Sequence, residues 1–185
     1  KIRSELNIED KFCIGHIGRL EYQKNHKKLL EIFSKILIKR PKSVLVCVGE
    51  GSYLERLMMQ AEKYGIKNSV LFLGNRNDVN SIIQAFDVFV FPSLYEGFGI
   101  TLIEAQANGL MCFTSKDLVP TSADITGNVE FLPITASAQL WADNILNCNN
   151  ERDLNATNTI CEKGYDLNQS TEKIEKMYME LAGEI

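Results

Sequence analysis

Two carboxylates flank a glycine-containing turn in the stretch "FPSLYEGFGITLIEAQANGL", which covers residues 91–110. Glu96 precedes Gly97 and Gly99, and Glu104 follows with seven residues between the two acids. A carboxylate accepts hydrogen bonds from vicinal hydroxyls, often two at once. The spacing therefore indicates a site for a ligand that carries a hydroxyl-rich ring on each side of the turn.

The turn itself has the features of an anion site, because it is predicted to open a helix. Residues 98–101 would form the start of that helix, where the first backbone N–H groups lack internal partners and carry partial positive charge. Such a helix end is suited to phosphate, and Gly97 and Gly99 allow a close approach. With Glu104 placed for a ribose and Glu96 for a sugar, the predicted ligand is a nucleotide diphosphate sugar. The alternative is that Glu104 is an ordinary surface residue and that Glu96 caps the loop.

A cationic turn, "GRLEYQKNH", follows the first predicted strand. It contains Arg19 and Lys24, and two cations at this position could hold a diphosphate, Arg through its planar fork and Lys as a point charge. The alternative is a solvated basic loop, since Lys27 and Lys28 follow on the next helix.

Both turns need a scaffold, and the hydrophobic pattern predicts one. Apolar, β-branched runs alternate with amphipathic segments, and the strands are apolar throughout instead of alternating. Strands buried on both faces are typical of a parallel sheet covered by helices, so the sequence predicts a doubly wound, Rossmann-like α/β domain of about six strands. Ligands of such sheets bind outside the carboxyl ends of the strands. The predicted strands are "KFCIGHIG", "SVLVCVG", "SVLFLG", "DVFVFP", "MCFTS" and "VEFLP".

The predicted helices lie between and after these strands. Asn25 and Asp78 are the predicted N-caps of the first and third helices. Pro41 stops the first helix and Gly65 ends the second. The helical segments are "NHKKLLEIFSKILIKR", "SYLERLMMQAEKYG", "DVNSIIQAF", the helix after the glycine turn, "SAQLWADNILNC", residues 153–163 and "STEKIEKMYMELA".

Composition excludes several classes of protein. The 185 residues, 45% of them hydrophobic, suit one compact domain, and a net charge of −4 gives no general attraction to nucleic acid. No apolar run reaches the length of a bilayer span, so we expect neither a membrane span nor a signal peptide within these residues. The five cysteines are scattered and lack metal-ligand spacing, which indicates reduced thiols in a cytosolic protein. Because the chain begins with Lys1, we expect it to be a piece of a longer protein.

Other nucleotide-binding motifs fit less well. A dinucleotide-binding fold needs G-x-G-x-x-G, but Gly15 and Gly18 are followed by Arg19, and the later "GEGSYL" has leucine in place of the third glycine. A phosphate loop of the G-x-x-x-x-G-K-[ST] kind is absent from the sequence. A receiver domain would need acids where Arg19 and Gly74 stand. His16 and His26 have no motif near them and are predicted to be structural.

"GRLEYQKN" and "FPSLYEGFGITLIEAQANG" together resemble the C-terminal domain of retaining GT-B glycosyltransferases of the GT4 family. That family has a G-R-x-x-x-x-K-N turn and a Glu–seven–Glu motif, here in the same order and at the expected strand ends. The resemblance spans nearly the whole chain, and it is greatest to bacterial exopolysaccharide and capsule-type members.

The resemblance implies a role for each residue of the two motifs. Arg19 and Lys24 would bind the donor diphosphate and stabilise the leaving group, and Glu96 would bind the transferred sugar, so these three are the predicted catalytic residues. Glu104 would bind the ribose hydroxyls. No metal and no cofactor would be required, because the two cations and a helix N-terminus can neutralise the leaving diphosphate. The other predicted donor-binding residues are Gly18, Asn75, Arg76, Gly97, Phe98, Gly99, Ile100 and Thr101, with Asn75 and Arg76 near the base.

The implied function is transfer of a sugar, with retention, from a nucleotide diphosphate sugar to a glycan or lipid-linked acceptor in cell-surface polysaccharide biosynthesis. A UDP-sugar is the favoured donor and a GDP-sugar the alternative, which would make the full-length protein a retaining hexosyltransferase. Residues 1–185 would be its nucleotide-sugar-binding domain, the C-terminal half of a GT-B fold. The acceptor domain would precede it, so the chain alone is expected to be inactive. The expected location is cytoplasmic, with the inner face of the membrane as a further option.

Two other functions stay open at this point. One is a GT-B-fold sugar-nucleotide epimerase, although the Glu–seven–Glu motif favours transfer. The other is a non-catalytic nucleotide-binding module, although a module without transfer would not need both cations and both acids.

The final helix would pack toward the acceptor domain in this family, so its apolar positions are expected to be partly exposed. The alternative is that they pack on this same domain. These positions are Ile174, Met177, Tyr178 and Leu181.

Overall fold

A single sheet of six parallel strands forms the centre of the molecule in the computed structural model, which describes residues 1–183. The strands are β1 Phe12–Ile17, β2 Ser43–Val48, β3 Val70–Phe72, β4 Val88–Phe91, β5 Met111–Ser115 and β6 Val129–Leu132. Their order is β3-β2-β1-β4-β5-β6, so the chain starts at the middle of the sheet and winds outward in both directions. This order confirms the doubly wound α/β fold and all six predicted strands. Residues 184 and 185, the end of the predicted domain, lie outside the described part.

Helices cover both faces of the sheet. They are α1 Ile2–Glu5, α2 His26–Lys39, α3 Leu54–Lys63, α4 Val79–Ile83, α5 Ile100–Ala107, α6 Ala138–Asn147, α7 Ala156–Glu162 and α8 Leu167–Ala182. Apolar side chains of α2, α3 and α6 share one core with the strands, and those of α4 and α5 share the other. The sequence did not predict α1, because four residues are too few to show a helical period.

The central strands are buried throughout, whereas the two edge strands are not. Every residue of β1, β2 and β4 is buried, as a parallel sheet with two covered faces requires. In β3 and β6 only Val70 and Leu132 are fully buried, and Glu130 lies within β6. The expectation of fully apolar, buried strands is therefore wrong at the edges, where a strand has a neighbour on one side only.

The predicted N-caps stand in the right places, but neither side chain caps its helix. Asn25 precedes α2 in a left-handed conformation, with φ of 51°, and its side chain bonds to no backbone N–H of the helix. Asp78 precedes α4, but its carboxylate is bound by Arg76. Gly65, with φ of 69°, follows α3 as predicted.

Helix α8 leaves the four apolar positions singled out in its sequence exposed to solvent. Ile174, Met177, Tyr178 and Leu181 are 52%, 50%, 64% and 77% exposed. The expected exposure of these positions is therefore confirmed in the isolated chain.

The five cysteines are free thiols. Cys13, Cys47 and Cys112 are buried in strands β1, β2 and β5, and burial raises the pKa of each of these thiols, that of Cys13 to about 12. At neutral pH they are protonated and behave as small apolar side chains.

Candidate functional site

The cationic turn leaves β1 at the carboxyl edge of the sheet. The Gly18 N–H donates to Val48 O at 2.9 Å, and the Leu20 N–H donates to Glu50 O at 2.8 Å. These bonds extend the pairing of β1 with β2 and fix the direction of the turn. Arg19 is exposed, and its guanidinium makes no hydrogen bond or ion pair with any described residue. Its five donors are therefore available to an anionic ligand.

Lys24 ends a short 3-10 turn, Tyr22–Lys24, and contacts Glu96. Its Nζ lies 2.7 Å from Glu96 Oε1, and the two side chains are only 14% and 7% exposed. The same Nζ lies 4.6 Å from the centroid of the Phe91 ring. A Cβ on Gly18 would lie 3.2 Å from Lys24 Cδ, so the glycine leaves room for the lysine methylenes. The fold thus joins a predicted diphosphate-binding cation to the predicted sugar-binding carboxylate.

Hydrogen bonds hold the cationic turn against the loop that follows β4. The Leu94 N–H donates to Gln23 O at 2.8 Å, and Gln23 Nε2 donates to Tyr95 O at 2.9 Å. The Glu96 N–H donates to Leu118 O at 3.1 Å. Because β1 and β4 are neighbours in the sheet, their loops leave the same edge side by side.

The glycine turn ends in a helix with free N–H donors. Gly99 has φ of 78°, a left-handed conformation that favours glycine, and α5 begins at the next residue. The N–H groups of residues 97–101 donate no hydrogen bond to any residue in the described part of the chain. The first bonds of this end run from the Leu102 and Ile103 N–H groups to Gly99 O, at 2.9 and 3.3 Å. Of these five free donors, those of Ile100 and Thr101 lie in the first turn of α5 and carry the positive end of the helix dipole, and the other three lie in the loop before it.

Glu104 lies one turn into α5 and is only partly exposed. No hydrogen bond or ion pair to its carboxylate is present among residues 1–183. Burial raises the pKa of this carboxyl group, because desolvation disfavours the charged form. Its environment therefore differs from that of Glu96, which already has a cationic partner.

Phe98 stacks on an aromatic side chain from a distant part of the sequence. Its ring lies 5.7 Å from that of Tyr165, with an angle of 20° between the ring planes. Tyr165 lies in the loop between α7 and α8, so this contact fixes the glycine turn to the C-terminal part of the domain.

A cavity of about 400 Å³ opens at the carboxyl ends of β1, β2 and β3. Arg76, on its wall, is already paired, since its Nε and Nη2 lie 2.8 and 2.7 Å from the Asp78 carboxylate oxygens. The Asn75 N–H donates to Glu50 Oε1 at 3.3 Å. The cavity therefore brings together part of the predicted site, separately from the Lys24–Glu96 pair. Its lining includes Gly18, Arg19, Glu50, Asn75 and Arg76.

The two histidines form a buried pair close to Lys24. His16 Nδ1 lies 2.8 Å from Val90 O and carries the hydrogen, because a carbonyl oxygen only accepts. The ring of His26 meets the ring of His16 edge-on, with 4.4 Å between the centroids. Burial lowers the pKa of His16 to about 4 and that of His26 to about 2, so both rings are neutral at pH 7. This burial agrees with the structural role predicted for both.

Sequence reasoning missed four residues of this region. Gln23 and Phe91 lie inside the two motifs, so the motifs marked their positions but not their contacts. Glu50 directly follows the glycine that comes after β2, which is a weak signal. Tyr165 has no sequence signal, because its contact with Phe98 depends on the path of the chain after α7.

Comparison with known families identifies the family to which this site belongs. The family described as "Glycosyl transferases group 1" matches residues 1–163. The chain belongs to the group 1 glycosyltransferases. The match covers both motifs and confirms the resemblance on which the site was interpreted.

Curated relatives of this group 1 glycosyltransferase include two bacterial proteins. EpsF of Bacillus subtilis (strain 168), a protein named as a glycosyltransferase, is 31% identical over 173 residues, which are 91% of this chain and 45% of EpsF. The UDP-Gal:alpha-D-GlcNAc-diphosphoundecaprenol alpha-1,3-galactosyltransferase of Escherichia coli is 33% identical over 181 residues, 92% of this chain and 46% of that enzyme. The chain thus spans about half the length of these curated relatives.

Solved structures confirm the fold of this chain. HepE of Anabaena, crystallised with UDP and glucose, superposes with a TM-score of 0.81 at 22% identity, over 96% of this chain and 50% of HepE. The α/β architecture is therefore that of a domain found in GT-B glycosyltransferases. In the described residues, no helix is both long and apolar enough to cross a membrane.

Proposed function

We propose that this chain is the donor-binding domain of a retaining hexosyltransferase that takes its sugar from a UDP-sugar, with a GDP-sugar as the alternative donor. The observation that carries the proposal is the buried contact between Lys24 and Glu96, 2.7 Å apart, beside a glycine turn and helix start that together have five free N–H donors. This combination offers one group for a diphosphate and another for sugar hydroxyls. The UDP complexes of HepE support a uridine nucleotide.

The proposed chemistry breaks the bond between the anomeric carbon and the diphosphate oxygen, and joins that carbon to the oxygen of an acceptor hydroxyl, whose proton passes to the departing diphosphate. Negative charge develops on the departing diphosphate. Arg19, Lys24 and the N–H groups of residues 97–101 would stabilise that charge, which is the largest single contribution in many enzymes. Because these groups are cationic or dipolar, we propose that the reaction needs no bound metal or cofactor.

The remaining residues would hold the donor in place. Glu96 would accept hydrogen bonds from the hydroxyls of the transferred sugar, and Glu104 from those of the ribose. Asn75 and Arg76 would lie near the base, in the cavity at the ends of β1–β3. The pairing of Arg76 with Asp78 leaves its guanidinium only partly available, so its contribution is proposed to be small.

The acceptor would be bound by the other half of the full-length protein. We propose a glycan or lipid-linked acceptor in cell-surface polysaccharide synthesis, and the diphosphoundecaprenol-linked GlcNAc in the name of the galactosyltransferase supports a lipid-linked one. The enzyme would then act in the cytoplasm, at the inner face of the membrane when the acceptor is a lipid. Residues 1–185 alone would bind the donor without transferring its sugar.

The test is turnover by the full-length protein with UDP-glucose or UDP-galactose and lipid-linked glycan acceptors. The anomeric configuration of the product is read from its proton NMR coupling. We expect a product with the configuration of the donor. An inverted product would contradict retention, and an epimerised donor formed without acceptor would favour the epimerase instead. Donor binding without consumption in any acceptor extract would favour a non-catalytic module.

A further inference from the structure

The Lys24–Glu96 contact joins two groups to which the proposed function assigns different parts of the donor. Their charged atoms are 2.7 Å apart, and the side chains are only 14% and 7% exposed. Glu96 is the one carboxylate paired with Lys24 among the described residues. Because water reaches this pair poorly, separating it leaves two poorly solvated charges that need new partners.

The surrounding contacts keep both groups in place. Lys24 is held over the Phe91 ring, with its Nζ 4.6 Å from the ring centroid. The loop that carries Glu96 is fixed by the bonds of Gln23 and by the Glu96 N–H bond to Leu118 O. When a diphosphate takes Lys24, the Glu96 carboxylate therefore stays close by.

An intact nucleotide sugar and a free nucleoside diphosphate meet this arrangement differently. The intact donor supplies a diphosphate for Lys24 and sugar hydroxyls for Glu96, so both groups regain a partner. The free nucleoside diphosphate supplies phosphates for Lys24 but no sugar hydroxyls for Glu96. It therefore leaves the Glu96 carboxylate unpaired beside additional negative charge.

We infer that Glu96 competes with the nucleoside diphosphate for Lys24, so that the site prefers the intact donor and releases the product after transfer. This role is additional to the contact of Glu96 with the sugar, and it rests on the proposed function. Once the sugar has left, Glu96 returns to Lys24 and displaces the diphosphate.

The test compares wild-type full-length protein with Glu96→Gln by calorimetric titration. The probes are UDP and UDP-glucose, together with GDP and GDP-mannose in case guanosine is the base. Removal of the competing charge should tighten the binding of the free diphosphate about tenfold, a change of about 1.4 kcal/mol. Binding of the nucleotide sugar should stay equal or weaken, because its hydroxyls lose an ionised acceptor. The ratio of the two affinities is a readout that a merely structural role of Glu96 would not move.

Two further variants separate competition from a general loss of negative charge. Glu9→Gln removes one negative charge from an exposed carboxylate that pairs with no cation in the described part of the chain, so both affinities should stay within about twofold. In a Lys24→Met background, Glu96→Gln should tighten diphosphate binding by less than about threefold, because the contested cation is gone. Glu96→Asp, which keeps the charge but shortens the reach, should give an intermediate gain and serves if the glutamine variant folds poorly.

The outcomes are distinct. If Glu96→Gln binds the free diphosphate more tightly than the wild type does, and this gain requires Lys24, the inference is supported. Equal or weaker diphosphate binding by Glu96→Gln, or a gain that persists without Lys24, overturns it and leaves the proposed function intact. Failure of the wild type to bind any of these nucleotides overturns the proposed function, and the inference with it.

Discussion

At the scale of single residues, the two glutamates of one motif differ in whether a cation pairs with the carboxylate. Glu96 is almost fully buried and paired with Lys24, whereas Glu104 is half-buried and has no partner among the described residues. The sequence predicted both acids as ligand-binding groups from their spacing around the glycine turn. It did not predict the Lys24–Glu96 contact, because the two residues are 72 positions apart and meet only where β1 and β4 lie side by side.

Glu104 should strengthen nucleotide binding but should not stabilise the ligand-free protein. Glu104→Gln removes an ionised acceptor, so we expect nucleotide affinity to fall about tenfold, the effect of one hydrogen bond to a charged group. The stability of the ligand-free protein should not fall, because the half-buried charge is removed. Calorimetry for affinity and urea unfolding for stability check the two halves of this prediction.

The same residue gives the binding a pH dependence of defined sign. Burial raises the Glu104 pKa, so the carboxylate takes up a proton at a higher pH than an ordinary glutamate does as the solution is acidified. Affinity of the wild type for UDP should therefore decline on acidification before ordinary carboxyl groups titrate, and the Glu104→Gln profile should be flatter. Parallel pH profiles of the two proteins would argue against a role for the ionised carboxylate.

The histidine pair predicts acid sensitivity of the fold. Both pKa values are lowered, to about 4 and about 2, so the folded chain stays neutral at these positions while the unfolded chain binds protons below pH 6.5. Stability is fully present above that pH and is lost on acidification, by about 2 kcal/mol per histidine between pH 8 and pH 5. Urea unfolding at both pH values measures this loss. Between pH 8 and pH 5 the free energy of unfolding should fall by about 4 kcal/mol less in the His16→Phe/His26→Leu double variant than in the wild type. The same loss in both proteins would refute this assignment.

At the scale of elements, apolar runs predicted the strands well, and side-chain chemistry predicted the helix ends less well. A run of apolar residues predicts a buried strand whichever apolar side chains it contains, because burial does not depend on a specific partner. A helix N-cap depends instead on a hydrogen bond between one particular side chain and one backbone N–H of the first turn. Asp78 binds Arg76, and Asn25 adopts a left-handed conformation, so neither serves as a side-chain cap. The helix after the glycine turn was predicted to start at residue 98, but it begins at Ile100, because Gly99 takes a left-handed conformation at its N-cap position.

The turn before α5 offers a matched pair of glycines that tests this conformational requirement. Gly99 has φ of 78°, whereas a Cβ on Gly97 would meet nothing within 4 Å and its φ lies outside the left-handed region. Gly99→Ala should lower the free energy of unfolding by about 1 kcal/mol, the cost of a left-handed alanine. Gly97→Ala should change it by less than about 0.5 kcal/mol. Urea unfolding measures both, and equal effects would show that the backbone conformation at Gly99 is not limiting.

At the scale of the whole molecule, the strand order follows from chain connectivity more than from any single residue. Buried parallel strands joined by helices must cross over with the same hand, and this leaves few arrangements of six strands. The loops after β1, β2, β3 and β4 all leave this carboxyl edge, which is why residues dispersed between positions 18 and 104 lie along the same edge of the sheet. Contacts made by the segments after α7, such as Phe98 with Tyr165, could not be predicted because no periodic pattern fixes their direction.

The central claim is that this edge binds a nucleotide diphosphate through its two cations and its helix end. The most direct test is calorimetric titration of the full-length protein with UDP, GDP, ADP and NAD in turn, without added metal, and of Lys24→Ala with the nucleotide that binds and its monophosphate. The account predicts saturable binding of one nucleoside diphosphate but not of NAD. It also predicts a loss of affinity in Lys24→Ala that is greater for the diphosphate than for the monophosphate. Binding of none of them, or equal binding by wild type and variant, would contradict it.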